Sequence, residues 1–141
     1  AQAKSGYSGI SFCLPTEAQW EFAARGGNMS KGYQYSGSNT IGRVAWHCNN
    51  TSTVQPVGRK SPNELGLYDM TGNVSEWCSD WLAPYSAQAQ SDPTGPASGE
   101  LRVYRDGGIG HTVEACHISI RYGQSPDYSD SAIGLRLVMH E

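Results

Sequence analysis

Apolar and polar positions follow two regular patterns in this chain, separated by long stretches with neither. Trp20, Ala23 and Ala24 recur at i, i+3 and i+4, the spacing of one helical face. Thr16-Glu17-Ala18-Gln19 has the form of a capping box, in which Gln19 reaches back to the Thr16 amide. Pro15 precedes that cap and Gly26 follows Arg25, so the spacing predicts a helix over about 16–25. A second short helix is predicted near 63–70, where Leu65, Tyr68 and Asp69 follow the turn Ser61-Pro62-Asn63. Alternation then predicts strands at 101–105, 116–120 and 133–138, with glycine pairs and Ser-Pro-Asp between them. Residues 26–62 are rich in Gly, Ser, Asn and Thr around an apolar island at Val44-Ala45-Trp46, and 83–100 carry three prolines and no periodicity. The sum is an α+β domain: one or two short helices, a small and mostly antiparallel sheet, and much irregular chain.

The 141 residues fit a single domain, and the apolar fraction of 38% supports a modest core. A formal charge of −3 without a basic stripe argues against a nucleic-acid footprint. No apolar run approaches the length of a membrane span. Residues 1–13 lack the pattern of a signal peptide, which leaves open a cytoplasmic protein or a mature or trimmed chain. Cys13, Cys48, Cys78 and Cys116 form no Cys-x-x-Cys pair, so zinc is not indicated. Free buried thiols, or one or two disulfides, both remain open. His47, His111, His117 and His140 show no i, i+4 metal spacing.

Four blocks carry a resemblance: residues 14–27 (Leu-Pro-Thr-Glu-Ala-Gln-Trp-Glu-Phe-Ala-Ala-Arg-Gly-Gly), the run from Asn63 to Trp77, Arg102-Val103-Tyr104-Arg105, and Ile133-Gly134-Leu135-Arg136-Leu137. Their order and spacing resemble the formylglycine-generating enzyme family, which implies a C-type-lectin-like fold over residues 1–141. Family domains usually carry a further segment before the first helix, so the resemblance also implies a trimmed domain or part of a larger protein. Enzymes of this family resemble copper oxidases that act through a close pair of cysteines. Here that pattern falls on His111 and Cys116, so half the pair is present. The Arg-Gly-Gly-Ser-Trp step of the family reads Arg105-Asp106-Gly107-Gly108-Ile109, another departure from the enzyme pattern. The iron-binding branch needs a histidine-rich domain that this chain does not contain. Asn73 and Glu76 match positions that help hold a structural calcium in the family, and hard oxygen ligands suit that ion. The alternative is that Asn73 satisfies its own turn while Glu76 faces solvent or Arg136.

One branch of the family, the variable proteins of diversity-generating retroelements, is most similar. It implies a fixed frame, here Arg102, Val103, Arg105, Cys116, Arg121, Pro126, Asp127, Ile133, Gly134, Leu135 and Arg136. Between these stand Tyr104, Asp106, Ile109, His111, His117, Ile120, Tyr122, Tyr128 and Asp130, which the resemblance makes ligand-binding residues of a variable region at about 102–138. None of the nine is Lys, Glu, Gln, Met or Trp, the types that mutagenesis of asparagine codons does not readily yield. Tyrosine gives large contact area at low rotamer cost. Strand alternation argues separately that Ile118 and Ile120 face inward. The expectation carried forward is a non-enzymatic binder of a protein or other macromolecule. The resemblance favours a cell-surface, secreted or phage-virion setting, and calcium is the one cofactor it implies. The alternatives are a copper-dependent oxidase using Cys116 and a plain structural or sugar-binding module.

Overall fold

The computed structural model describes residues 9–140. In chain order the elements are β1 (Ser11–Cys13), α1 (Glu17–Ala24), α2 (Ile41–Val44), β2 (Ser75–Trp81), β3 (Arg102–Arg105), β4 (Arg121–Gln124), β5 (Ile133–Gly134) and β6 (Val138–His140). Short 3₁₀ turns occupy Gly27–Met29 and Glu114–Cys116. A four-stranded sheet has the order β4-β3-β2-β5, and β1 and β6 form a separate two-stranded ribbon.

Helix α1 begins as its sequence directs. The Gln19 amide donates to Thr16 Oγ1 at 3.1 Å, and the Thr16 amide donates to Gln19 Oε1 at 2.9 Å. The Glu17 amide is held from outside the helix, donating to Asp80 Oδ1 on β2 at 2.8 Å. Trp20 and Ala24 then enter a core made with Met70, Cys78, Val103 and Ile118. A second cluster gathers Tyr35, Val44, Ala45 and Cys116, so Val44 and Ala45 of the apolar island are buried as expected, while Trp46 is half-buried.

The 63–70 segment does not form a helix. Asn63 Oδ1 accepts from the amides of Leu65 and Leu67 at 3.0 and 3.1 Å, and the Asn63 amide donates to the Leu67 carbonyl at 2.9 Å. An asparagine side chain that captures local amides competes with helix formation, and here it closes a turn. Residues 116–120 are likewise not a strand. Cys116 ends a 3₁₀ turn, the Ile120 amide bonds back to the His117 carbonyl at 3.0 Å, and extended pairing begins only at Arg121. The segment 133–138 divides: Ile133–Gly134 runs parallel to β2, while Val138 starts the ribbon strand against Cys13. The sheet is therefore mixed, with β2–β3 and β3–β4 antiparallel.

Strand β2, at the centre, has no counterpart among the predicted elements. Its buried face carries Glu76, Cys78 and Asp80, and Trp77, Ser79 and Trp81 take the half-buried one. The turn leading into it depends on Gly72, at φ +78°, where a Cβ would lie 2.3 Å from the Trp46 carbonyl oxygen. No side chain other than hydrogen fits so close a backbone approach.

Candidate functional site

Residues alternate across β2, β3 and β4, so each strand offers one face to α1 and one away from it. Glu76 pairs with Arg105, and Arg105 with Arg121, on the face toward α1. Trp77 pairs with Tyr104, and Tyr104 with Tyr122, on the other. The two faces do different jobs.

The α1 face is a closed ionic frame. Arg105 is fully buried, with Nη1 2.7 Å from Glu17 Oε1 and Nη2 2.7 Å from Glu21 Oε2. Burial opposes charge on both Arg105 and Glu21. Their contact outweighs it, lifting the guanidinium above its ordinary value and holding the Glu21 carboxyl below the usual carboxylate range. Arg121 binds the same Glu17 through Nε at 2.8 Å and through Nη2, and its Nη1 donates to the Ala83 carbonyl at 2.6 Å. Glu76 accepts from Trp20 Nε1 at 2.8 Å and from Arg136 Nε and Nη2 at 3.1 and 2.8 Å. Arg102 lies over the Trp81 ring at 3.6 Å. The arginines of the expected frame are thus engaged with internal partners.

The opposite face is a row of rings. Tyr104 and Tyr122 stack with centroids 5.1 Å apart and planes 16° from parallel. Trp77 meets Tyr104 edge-on at 5.8 Å, and His111 lies 5.4 Å from Tyr122. Partial burial raises both phenols above the ordinary tyrosine value; Tyr128 adds to this at Tyr104, and Tyr104 adds to it at Tyr122. Tyr128 itself is 43% exposed. The three tyrosines therefore do not occupy separate core sites. Trp77, absent from the expected binding residues, belongs to this row. Trp77, Ser79 and Trp81 do alternate, but the buried positions between them include Glu76 and Asp80, so apolar periodicity gives no signal for it.

The remaining expected binding residues are less uniform. Ile109, His117 and Ile120 are half-buried, and His117 packs edge-on against Tyr35 at 5.1 Å, away from the row. Ile118 is buried and Ser119 exposed, but in a turn and not the expected strand, and Ile120, which alternation faced inward, is only half-buried. Asp130 is exposed, with Oδ1 accepting from the Ala132 amide at 2.8 Å. Asp106 contradicts its expected exposure. It is 2% exposed at φ +69°, where the family step has a glycine, and its side chain turns into the protein. Neither carboxylate oxygen has a hydrogen-bond partner of ordinary geometry among the described residues. Burial, reinforced by the negative charge of Glu76, pushes this carboxyl well above the usual range.

Asn73 and Glu76 do not fit a calcium site as they stand. Asn73 Oδ1 accepts from the Gln55 amide at 2.9 Å, and its Nδ2 donates to the Gln55 carbonyl at 3.0 Å. Glu76 has both oxygens taken by Trp20 and Arg136. Oxygens aimed at N–H donors cannot also supply the six or more ligands that calcium takes. Among the described residues no group of three or more His, Cys, Asp or Glu side chains converges. The copper pattern fits no better. Cys116 is 1% exposed, its thiol donates to the Gly107 carbonyl at 3.0 Å, and burial pushes it up to about 12. A metal-binding thiolate needs the reverse shift.

Two open cavities adjoin these faces. One of about 1010 Å³ runs past Phe22, Trp77, Arg102 and Pro126, and one of about 1120 Å³ lies over Glu17, Tyr85 and Arg121. Among the described residues no helix is long and apolar enough to cross a membrane.

Comparison with known proteins places this geometry. The sulfatase-modifying factor enzyme 1-like domain matches residues 1–141. The formylglycine-generating enzyme of Streptomyces coelicolor is 37% identical over 142 residues, covering 87% of this chain and 45% of that protein. The serine/threonine-protein kinase pkn1 of Chlamydia pneumoniae is 38% identical over 137 residues, covering 94% of this chain and 22% of the kinase. Among solved structures, variable protein 1 of Treponema denticola superposes with a TM-score of 0.83 at 42% identity, over 89% of this chain and 46% of that one. The chain spans less than half the length of each of these relatives.

Proposed function

The chain belongs to the sulfatase-modifying factor enzyme 1-like family, and from that premise we propose that it is a non-enzymatic ligand-binding domain displaying a retroelement-diversified face on a fixed scaffold. One observation carries the reading: frame and face are separated. Arg105, Arg121 and Arg136 direct their guanidinium groups to Glu17, Glu21, Glu76 and backbone carbonyls behind the sheet. Tyr104, His111, Tyr122 and Tyr128 lie on the far side of it or on its rim, half-buried or exposed. Side chains placed there can change without disturbing the ion pairs that hold α1 to the sheet. The likeness to the Treponema variable protein supports the same reading.

A copper-dependent oxidase, acting on a peptide cysteine, draws on the likeness to formylglycine-generating enzymes. The buried, protonated Cys116 and the histidine at position 111 give it no soft ligand pair. The test is a comparison of substitution tolerance. Variants at Tyr104, His111, Tyr122 and Tyr128, made singly and as a randomised library, are expected to keep cooperative unfolding, and the library is expected to yield binders to unrelated protein targets. Arg105→Ala and Arg121→Ala are expected to unfold the domain. Equal damage from face and frame substitutions would overturn the proposal.

A further inference from the structure

The binding-face reading names no ligand chemistry, but the charges left over on the face do. Among residues 104–132, Arg105 and Arg121 are committed to Glu17 and Glu21. Arg102 and Arg136, from neighbouring positions, are committed to Ser79, Trp81, Glu76, Tyr68 and Asp69. The exposed charges that remain in this segment, with no ion-pair partner among the described residues, are Glu114, Asp127 and Asp130. All three are acids. Asp127 and Asp130 flank Tyr128, and Pro126, next to Asp127, lines the cavity that also runs past Trp77.

Aromatic rings present a negative π-face that attracts guanidinium and ammonium groups, and a carboxylate rim adds to that attraction. A rim of one sign also steers the opposite charge toward it and repels its own. Trp77 strengthens the case. Indole is the best cation acceptor of the aromatic side chains, and Trp77, edge-on to Tyr104, continues the aromatic row onto β2, outside residues 102–138.

Resting on the binding-face reading, we propose that the ligand is a protein segment presenting arginine or lysine side chains to the row Trp77–Tyr104–Tyr122, with Asp127 and Asp130 as its electrostatic rim. Trp77 is a fixed anchor in this arrangement, and the tyrosines around it tune which basic segment fits. Anionic ligands, whether acidic peptides or phosphate-bearing chains, are disfavoured on this face because residues 104–132 hold no lysine and both of their arginines are paired with Glu17 and Glu21.

Two capped peptides of equal length, one alternating Gly-Arg and one alternating Gly-Glu, make the test when titrated into isotope-labelled protein followed by NMR. The Gly-Arg peptide is expected to shift the Trp77 indole and the Tyr104 and Tyr122 ring signals. It should bind about fivefold more weakly to Asp130→Asn, and more weakly again as salt rises through about 0.15 M. Asp130 is exposed and asparagine retains its acceptor for the Ala132 amide, so that variant tests the rim without threatening the fold. Gly-Arg shifts that bypass the three rings, or equal binding of both peptides, would overturn the proposal. Binding of the Gly-Glu peptide alone to the rings would refute the basic ligand while leaving the binding face standing. Silence from both peptides would count against the basic ligand, and the library selection would then decide whether the face binds at all.

Discussion

Arg121 and Glu17 stand 104 positions apart in the chain, yet Arg121 Nε lies 2.8 Å from Glu17 Oε1. The same carboxylate holds the buried Arg105 at 2.7 Å. One residue in the first turn of α1 thus ties down two arginines of neighbouring strands, which fixes the sheet that carries the aromatic row.

Removal of Glu17 leaves two guanidinium groups facing each other with less compensation. Glu17→Ala is expected to cost about 3–5 kcal/mol, the range for breaking a buried ion pair from one side. Arg25→Ala, at the half-exposed pair with Glu21, should stay within about 1 kcal/mol. Urea denaturation midpoints at a constant slope check both, and a Glu17 variant as stable as the Arg25 variant would contradict the frame.

Asp106 makes stability depend on pH. Its folded-state pKa lies above the unfolded value of about 3.9, so its favourable contribution is complete below that pH and is lost as pH rises toward the folded value. Between the two, the domain loses up to about 1.4 kcal/mol per pH unit from this group. Asp106→Asn keeps the shape and tolerates a positive φ. It should raise the melting temperature at pH 7 relative to the parent, with the difference closing below about pH 4. A parallel pair of pH profiles would show Asp106 to be harmless.

The stacked tyrosines should be coupled. Tyr104→Ala and Tyr122→Ala are each expected to cost about 1–2 kcal/mol, less than a fully buried ring. A double-mutant cycle should return about 0.5–1.5 kcal/mol of interaction between them. A coupling of zero would mean that the rings do not stack in solution.

The cysteines divide into two classes. Cys13 and Cys48 are exposed, while Cys78 and Cys116 are buried with thiols pushed up by burial. A chromogenic disulfide reagent at about pH 8, near the ordinary thiol value, should titrate two thiols quickly in the native protein and four after unfolding. Fast reaction of Cys116 would reopen the oxidase reading.

Local chemistry was legible in the sequence, and long-range pairing was not. The capping box at Thr16 and Gln19 set α1 correctly because all its partners lie within four residues. Strand β2 was missed because hydrophobicity is inverted on it. Glu76 and Asp80 point inward to Trp20, Arg136 and the Glu17 amide, while Trp77 and Trp81 take the other face. Polar residues buried by distant partners defeat a rule based on apolar alternation. The same blindness left out Trp77 and misplaced Asp106, whose burial follows from a left-handed turn immediately after Arg105. Tyr104 and Tyr122 were legible because frame residues on either side of them fix their phase.

The most direct measurement is deep sequencing of this gene across one population of its source. The expected result is substitution concentrated at the codons of Tyr104, Ile109, His111, Ile120, Tyr122, Tyr128 and Asp130, with those of Glu17, Trp77, Arg105 and Arg121 constant. Uniformly low variation, or variation spread equally over frame and face, would contradict a diversified binding surface.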